Sequence, residues 1–350
     1  MIRLGVAIPL DEVEHRGRMI EYAQMAETCG YEAALVPEAW GRDAFTLLTV
    51  LAEHTSRITL GTGIVTVFSR TPALLAQTVA SLDEISGGRM LLGLGTSGPI
   101  VIENWHGLPY ERALRRTREY VDIIRLILSG ERVNYAGQLF TLKNFRLPFK
   151  PVRERVPIYL AAIGPQNNRL AGRIADGWIP TRIPRPHFKD ALAEVAEGAI
   201  AAGRSLDHVE VAPQVMTSVT DDPAPIIAKV KEHTAYYVGG MGTFYNNLVS
   251  RFGFPQEAAT IREAWQKGER AKAAALVTDE MVRQMSAIGS ADECRLCFDE
   301  LRAQGATLPI LTFPHGATPH EIRRTVEAMA PGESACSCGE FSVDPSGQMR

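Results

Sequence analysis

Short apolar runs alternate along the chain with segments whose apolar residues recur every three or four positions. The first pattern suits a strand buried on both faces, and the second a helix with one buried stripe. "RLGVAI" (3–8) precedes a helical pattern with Met19, Ala23 and Ala26 on one face, which stops at Cys29-Gly30, where glycine suits a left-handed cap. "AALVP" (33–37), a helix from about Asp43 to Thr55 and "ITLGTGIVTV" follow. Pro72 opens a helix striped by Leu75, Val79 and Leu82, "SGGR" turns into "MLLGLG" (90–95), and a long helix near 111–129 carries Ile123, Ile124 and Ile127. The rhythm breaks at "ERVNYAGQLFTLKNF" (131–145), whose alternation around Ala136-Gly137 predicts a β-hairpin.

The alternation resumes with "VPIYLAAIG" (156–164), a helix near 166–175, "GWIPT" (177–181), a helix near 187–202 and "VEVAPQVMTSV" (209–219). Residues 221–290 read as mostly helical and irregular. A helix from Ala291 to Gln304, the strand "TLPILTF" (307–313) and a helix from Pro319 to Met329 complete the order. Eight strands, each followed by a helix, predict an α/β fold, a closed (β/α)8 TIM barrel with insertions, and an open doubly wound sheet is the other arrangement. We expect one barrel domain over 1–330, insertions near 131–147 and 221–290, and a flexible tail over 331–350, where "GESACSCGEFSVDPSGQMR" has no periodicity.

One strand is odd. In "LGTGIVTV" (60–67), Gly61 and Gly63 interrupt an apolar β-branched run, and a glycine inside a strand costs roughly 0.5–1 kcal/mol relative to alanine.

With 45% hydrophobic and 22% charged residues among 350, the composition is that of a globular protein. A net charge of -3 and no Lys/Arg block argue against nucleic-acid or membrane partners and for a small molecule. "MIRLGVAIPL" enters a strand at once, so no signal peptide is expected, and no run of about 18 apolar residues suggests a spanning helix. The expected location is cytoplasmic, where Cys29, Cys294, Cys297, Cys336 and Cys338 would be reduced. Their spacing fits a zinc site poorly, and no metal is expected.

Barrel active sites lie at the carboxyl ends of the strands. Here these ends carry Ile8-Pro9-Leu10, Glu38-Ala39-Trp40, Gly63-Ile64-Val65-Thr66, Thr96-Ser97-Gly98 and Ala161-Ala162-Ile163-Gly164-Pro165. Rich in glycine and poor in His and Cys, this rim suits a large flat ligand lying against backbone. Glu38 is the one carboxylate there: it could exchange a proton with a bound ligand, cap the next helix, or pair with Arg42. "GLGTSGP" (93–99) lacks phosphate-loop spacing but could cradle an anion with its amides and Ser97. Trp105 and His106 could line the site or a surface loop, and Arg169 and Arg173 could reach an anionic tail or form a solvated face.

"EAWGRDAFTLL", "RITLGTGIVTVFSRTPALLAQTVASLDEISGGRMLLGLGTSGP", "WHGLPYERALRRTREYVDIIR" and "IYLAAIGPQNNRLAGRIADGWIP" together resemble the bacterial luciferase-like superfamily. Within it they are similar to the branch using the deazaflavin coenzyme F-420, which includes methylenetetrahydromethanopterin reductase. The resemblance implies a barrel, commonly a homodimer, that transfers hydride between F-420 and a small organic substrate. It also implies a non-prolyl cis peptide in a bulge behind the cofactor ring, here Gly63-Ile64 beside Val65. Cofactor contacts map to Trp40, Thr96, Ser97, Gly98, Ala161, Ala162, Gly164 and Pro165. Glu38 is the expected catalytic proton partner, with Trp40 and Trp178 as walls. Ala39 and Gly98 stand where sugar-phosphate dehydrogenases of the branch carry histidine and glutamate, which counts against that substrate. An FMN-dependent monooxygenase and a non-catalytic cofactor-binding barrel are the alternatives.

Overall fold

Twelve strands are found in the described residues 2–10, 16–39 and 41–332 of the computed structural model. They are β1 (Gly5–Ala7), β2 (Ala33–Pro37), β3 (Thr59–Thr66), β4 (Met90–Gly95), β5 (Val133–Ala136), β6 (Thr141–Phe145), β7 (Ile158–Ala161), β8 (Gly177–Ile179), β9 (Glu210–Val211), β10 (Gln214–Val219), β11 (Ser286–Gly289) and β12 (Ile310–Thr312). All but β5 and β6 pair in parallel in the order β11-β10-β12-β1-β2-β3-β4-β7-β8-β9. Only Ala212 and Pro213 separate β9 from β10, and a parallel bridge between Thr181 and Gln214 carries the β8 side onto β10. The sheet therefore closes on itself, as expected for the barrel and not for an open sheet. β9 and β10 act as one barrel strand interrupted at Pro213, which has no N–H to give the ladder.

Alternation along the strands sorts side chains into two layers. Inside the barrel, Ala7, Ala33, Leu35, Leu91, Tyr159, Ile179, Ala212, Leu308 and Ile310 pack together. Outside it, a larger cluster including Val6, Leu60, Val65, Leu94 and Leu160 seals the strands against the helices. The predicted hairpin is present as antiparallel β5 and β6. Buried Glu119 holds its turn by accepting from the amides of Gln138 (2.9 Å), Leu139 (3.0 Å) and Phe140 (3.1 Å).

The stretch 221–290 is more regular than expected. Helices Ala224–Gly240, Phe244–Arg251, Pro255–Gln266, Arg270–Ala275 and Asp279–Met285 surround an apolar cluster of their own. The chain then re-enters the sheet as β11, which pairs with Met216–Val219 of β10. Cys294 and Cys297 are free thiols. Cys29 is disulfide-bonded, which departs from the expectation of reduced thiols, and Cys336 and Cys338 lie outside the described residues, as does the tail from 333. No helix among the described residues is long and apolar enough to cross a membrane.

Candidate active site

The two odd glycines sit where β3 takes one residue more than its neighbours. Val36 pairs with Thr62 but Pro37 with Ile64, while Gly61 pairs with Leu91 and Val65 with Leu94. Thr62 to Ile64 therefore form a β-bulge. The Thr62 hydroxyl repairs the broken ladder, accepting from the Gly93 amide and donating to the Gly93 carbonyl, both at 2.8 Å. Gly61 points into the barrel, where a β-carbon would stand 2.9 Å from the Leu91 carbonyl oxygen and 3.0 Å from the Leu35 side chain. At Gly63 it would meet the Gln214 amide at 3.3 Å, so Gln214 reaches across from the opposite wall to floor the mouth. The expected cis peptide at Gly63-Ile64 is absent: no cis bond occurs among the described residues. The extra residue is taken up by the bulge and the Thr62 clamp.

Glu38 ends β2, and its backbone N–H donates to the Ile64 carbonyl at 3.0 Å, tying it to the bulge. Its carboxylate takes a two-pronged ion pair from Arg70 (2.6 and 3.1 Å) and the Ala44 amide (3.0 Å) at the start of helix Ala44–His54. Arg70 also binds Asp43 and lies 5.0 Å over the Phe45 ring. Partners outweigh burial for both: the Arg70 guanidinium is raised above its ordinary pKa and Asp43 lowered below its own. Glu38 thus caps a helix and pairs with Arg70 in place of Arg42, leaving its oxygens engaged as acceptors. Ala39 is exposed. Trp40 lies outside the described residues.

The loops after β4 and β7 continue the rim, because β3, β4 and β7 are neighbours. The Ile64 side chain lies against Gly95, while Val65 turns outward into the core, so only its backbone borders the bulge. Ser97 holds a left-handed backbone with φ of 55°. Around Gly98 and Gly164 nothing stands within 4 Å of where a β-carbon would be, so both present bare backbone to open space. Gly164 precedes helix Pro165–Ile174, and no side chain caps it. The amides of Gln166 and Asn167 therefore have no partner among the described residues.

Trp178 is not a wall. Fully buried, it stacks on Phe188 at 5.8 Å and donates to the Ala162 carbonyl (3.0 Å) and to Asn168 (3.2 Å), because β8 directs it outward against the helices. Arg169 pairs with Glu197, and Arg173 is exposed in the last turn of its helix, about 12 Å along the axis from the rim. Trp105 is likewise exposed.

Sequence reasoning missed the opposite half of the rim. From the Phe68 ring after β3, an aromatic belt runs through Tyr110 (5.3 Å) to Phe244 (6.1 Å), whose neighbour Tyr245 meets Tyr237 edge-on at 4.8 Å. Tyr237 meets His233 at 4.9 Å, and His233 stacks on His315 at 5.7 Å. Arg182, three residues past β8, lies 4.1 Å over Tyr237 and within 3.3 Å of His233 Nδ1. Burial, with help from Arg182 and then His315, pushes His233 down to about 3. Near the other end of the belt, Arg116 sits over Phe68 (4.7 Å) with its Nε buried and unpartnered. The signal for this half was the density of His and Tyr in "HTAYYVGGMGTFY".

A closed parallel barrel with a bulged third strand and an aromatic insertion at its carboxyl-end mouth defines a (β/α)8 protein. Residues 3–308 match the family model described as luciferase-like monooxygenase, and the chain belongs to that family. It is 34% identical over 83% of its length to a Mycobacterium tuberculosis protein assigned by name to the coenzyme F-420-dependent oxidoreductases, covering 89% of that protein. It is 33% identical over 85% of its length to methylenetetrahydromethanopterin reductase of Methanolobus tindarius, covering 91% of that enzyme. The solved coenzyme F-420-dependent tetrahydromethanopterin reductase of Methanopyrus kandleri superposes with a TM-score of 0.81 at 26% identity, over 94% of this chain and 97% of that one.

Proposed function

We propose that this chain is a coenzyme F-420-dependent oxidoreductase that moves hydride between the deazaflavin and a small organic substrate. The observation that carries this reading is the arc of bare backbone from the β3 bulge through Gly98 to Gly164, ending at an uncapped helix N-terminus. The names of the relatives point the same way.

The residues present fit such a cofactor. A flat ring needs backbone without side chains in its plane, which Gly98 and Gly164 provide. An anionic tail needs donors, which the Gln166 and Asn167 amides and the orphaned Arg116 Nε offer. When bound, F-420 supplies the hydride-carrying carbon. The chain's own part is to fix the reacting atoms about 3–3.5 Å apart and keep water out. The bulge and Gln214 would set the depth of the ring, and the aromatic belt would close the mouth above the substrate. Glu38 would brace the bulge through Ile64, its carboxylate paired with Arg70.

Two tests follow. On titration, F-420 should bind with a saturable spectral change and FMN should not; the reverse result would make the chain a flavin monooxygenase. F-420 binding without turnover of enones, imines or alcohols would favour a binding protein. Glu38→Gln should cost about 1–2 kcal/mol in urea unfolding through its weakened pair with Arg70, and leave turnover within tenfold. A thousandfold loss of turnover at unchanged stability would instead make Glu38 the proton partner.

A further inference from the structure

Arg182 stands without a carboxylate partner among the described residues. Among the described residues it joins no ion pair, whereas its neighbour Arg185 is spent on Glu300 (3.0 Å) and the Ser286 carbonyl (2.7 Å). Arg182 is nevertheless held in place. Its guanidinium lies over the Tyr237 ring, and one N–H donates to His233 Nδ1. Its backbone is left-handed, with φ of 58°, which a long side chain adopts at a cost and keeps only where the surroundings enforce it.

The tautomer of His233 follows from that bond. Arginine can only donate, so Nδ1 accepts and Nε2 carries the ring proton. A neutral imidazole N–H thus stands beside a guanidinium whose remaining N–H groups have no acceptor among the described residues. Tyr237 and the half-buried Tyr245 add apolar faces around them. All of this lies at the carboxyl-end rim: Arg182 follows β8, His315 follows β12, and His233 and Tyr237 are one turn apart on the helix after β10.

We propose that Arg182, positioned by Tyr237 and His233, anchors the carboxylate of an organic-acid substrate whose apolar body rests on the aromatic belt. This extends the oxidoreductase reading, since it names the substrate class for the same mouth. The planar fork of arginine matches a carboxylate with two parallel hydrogen bonds. An alcohol or amine would leave the guanidinium without an anion.

The test uses benzoate and its uncharged amide, benzamide, as probes in calorimetric titration of the full chain without cofactor. Benzoate should bind at least tenfold more tightly than benzamide. Arg182→Gln should abolish that preference and Arg182→Lys should keep part of it, with all three proteins unfolding at similar temperatures. No binding of either probe, equal binding of both, or an unchanged preference in Arg182→Gln overturns the proposal. The cofactor reading is judged separately, because Arg182→Gln should bind F-420 as the unaltered chain does: loss of F-420 binding in the unaltered chain would sink that reading and leave the benzoate result standing.

Discussion

Gly93→Ala is expected to cost about 2–3 kcal/mol in urea unfolding, far more than one added methyl usually does, and to weaken ligand binding at the rim. The new β-carbon would overlap the Thr62 carbonyl oxygen and come within 3.1 Å of the Gly63 carbonyl oxygen. Both are backbone atoms of the bulge, so relief requires moving β3 itself, and overpacking of a fixed core costs on this scale. Moving β3 would also stretch the two Thr62 hydrogen bonds to Gly93 that substitute for the lost ladder. Thr62→Val tests that second part: it removes both bonds with little change of volume and should cost about 1–2 kcal/mol. Gly98→Ala is the control. Nothing stands near its β-carbon, so stability should change by less than about 0.5 kcal/mol while F-420 binding weakens. If Gly93→Ala unfolds at the same urea concentration as the unaltered chain, the bulge is soft and cannot set the depth of a bound ring.

The barrel was legible where burial alone decides structure. β2 and β4 fall on "AALVP" and "MLLGLG" to the residue, because a strand covered on both faces must be a continuous apolar run. β11 escaped because "SAIG" is too short to show a period, and its place in the sheet depends on the insertion that delivers it. The rim was legible only on its glycine side. Glycines advertise their positions individually, but the partners of charged groups lie far apart in sequence. Arg70 is 32 residues from Glu38 and Arg182 is 51 from His233, and no local spacing encodes such pairs. Arg42 looked like the partner of Glu38 because it was near in sequence, and Trp178 looked like a wall because one strand face cannot be told from the other when both are buried. The cis peptide was carried over from the resemblance, and nothing in "GTGIVT" itself distinguishes a cis bond from a bulge.

Acid should destabilise the chain earlier than its carboxylates alone require, with His233 as the cause. Its pKa in the folded protein is about 3, against an ordinary value of 6.5. Between these values the unfolded chain holds a proton that the folded one refuses, so stability rises with pH there. The contribution is complete above about pH 6.5 and is lost progressively as pH falls toward 3. At about 1.4 kcal/mol per unit, lowering pH from 7 to 5 should remove on the order of 2 kcal/mol. Glu27, Asp43 and Asp176 act in the same direction, because hydrogen bonds and arginine partners outweigh the opposing effect of burial. Their ordinary values of 4.5, 3.8 and 3.8 place that effect mostly below pH 5, and Asp122, raised by burial, acts in the opposite direction, so the comparison with a variant lacking the histidine is what separates its part. His233→Phe keeps an aromatic ring against Tyr237 and His315 but cannot take a proton. Urea unfolding at pH 7, 6 and 5 should therefore show a falling stability for the unaltered chain and a much flatter one for His233→Phe. Parallel losses in the two proteins would show that His233 does not stay neutral beside Arg182 in this window.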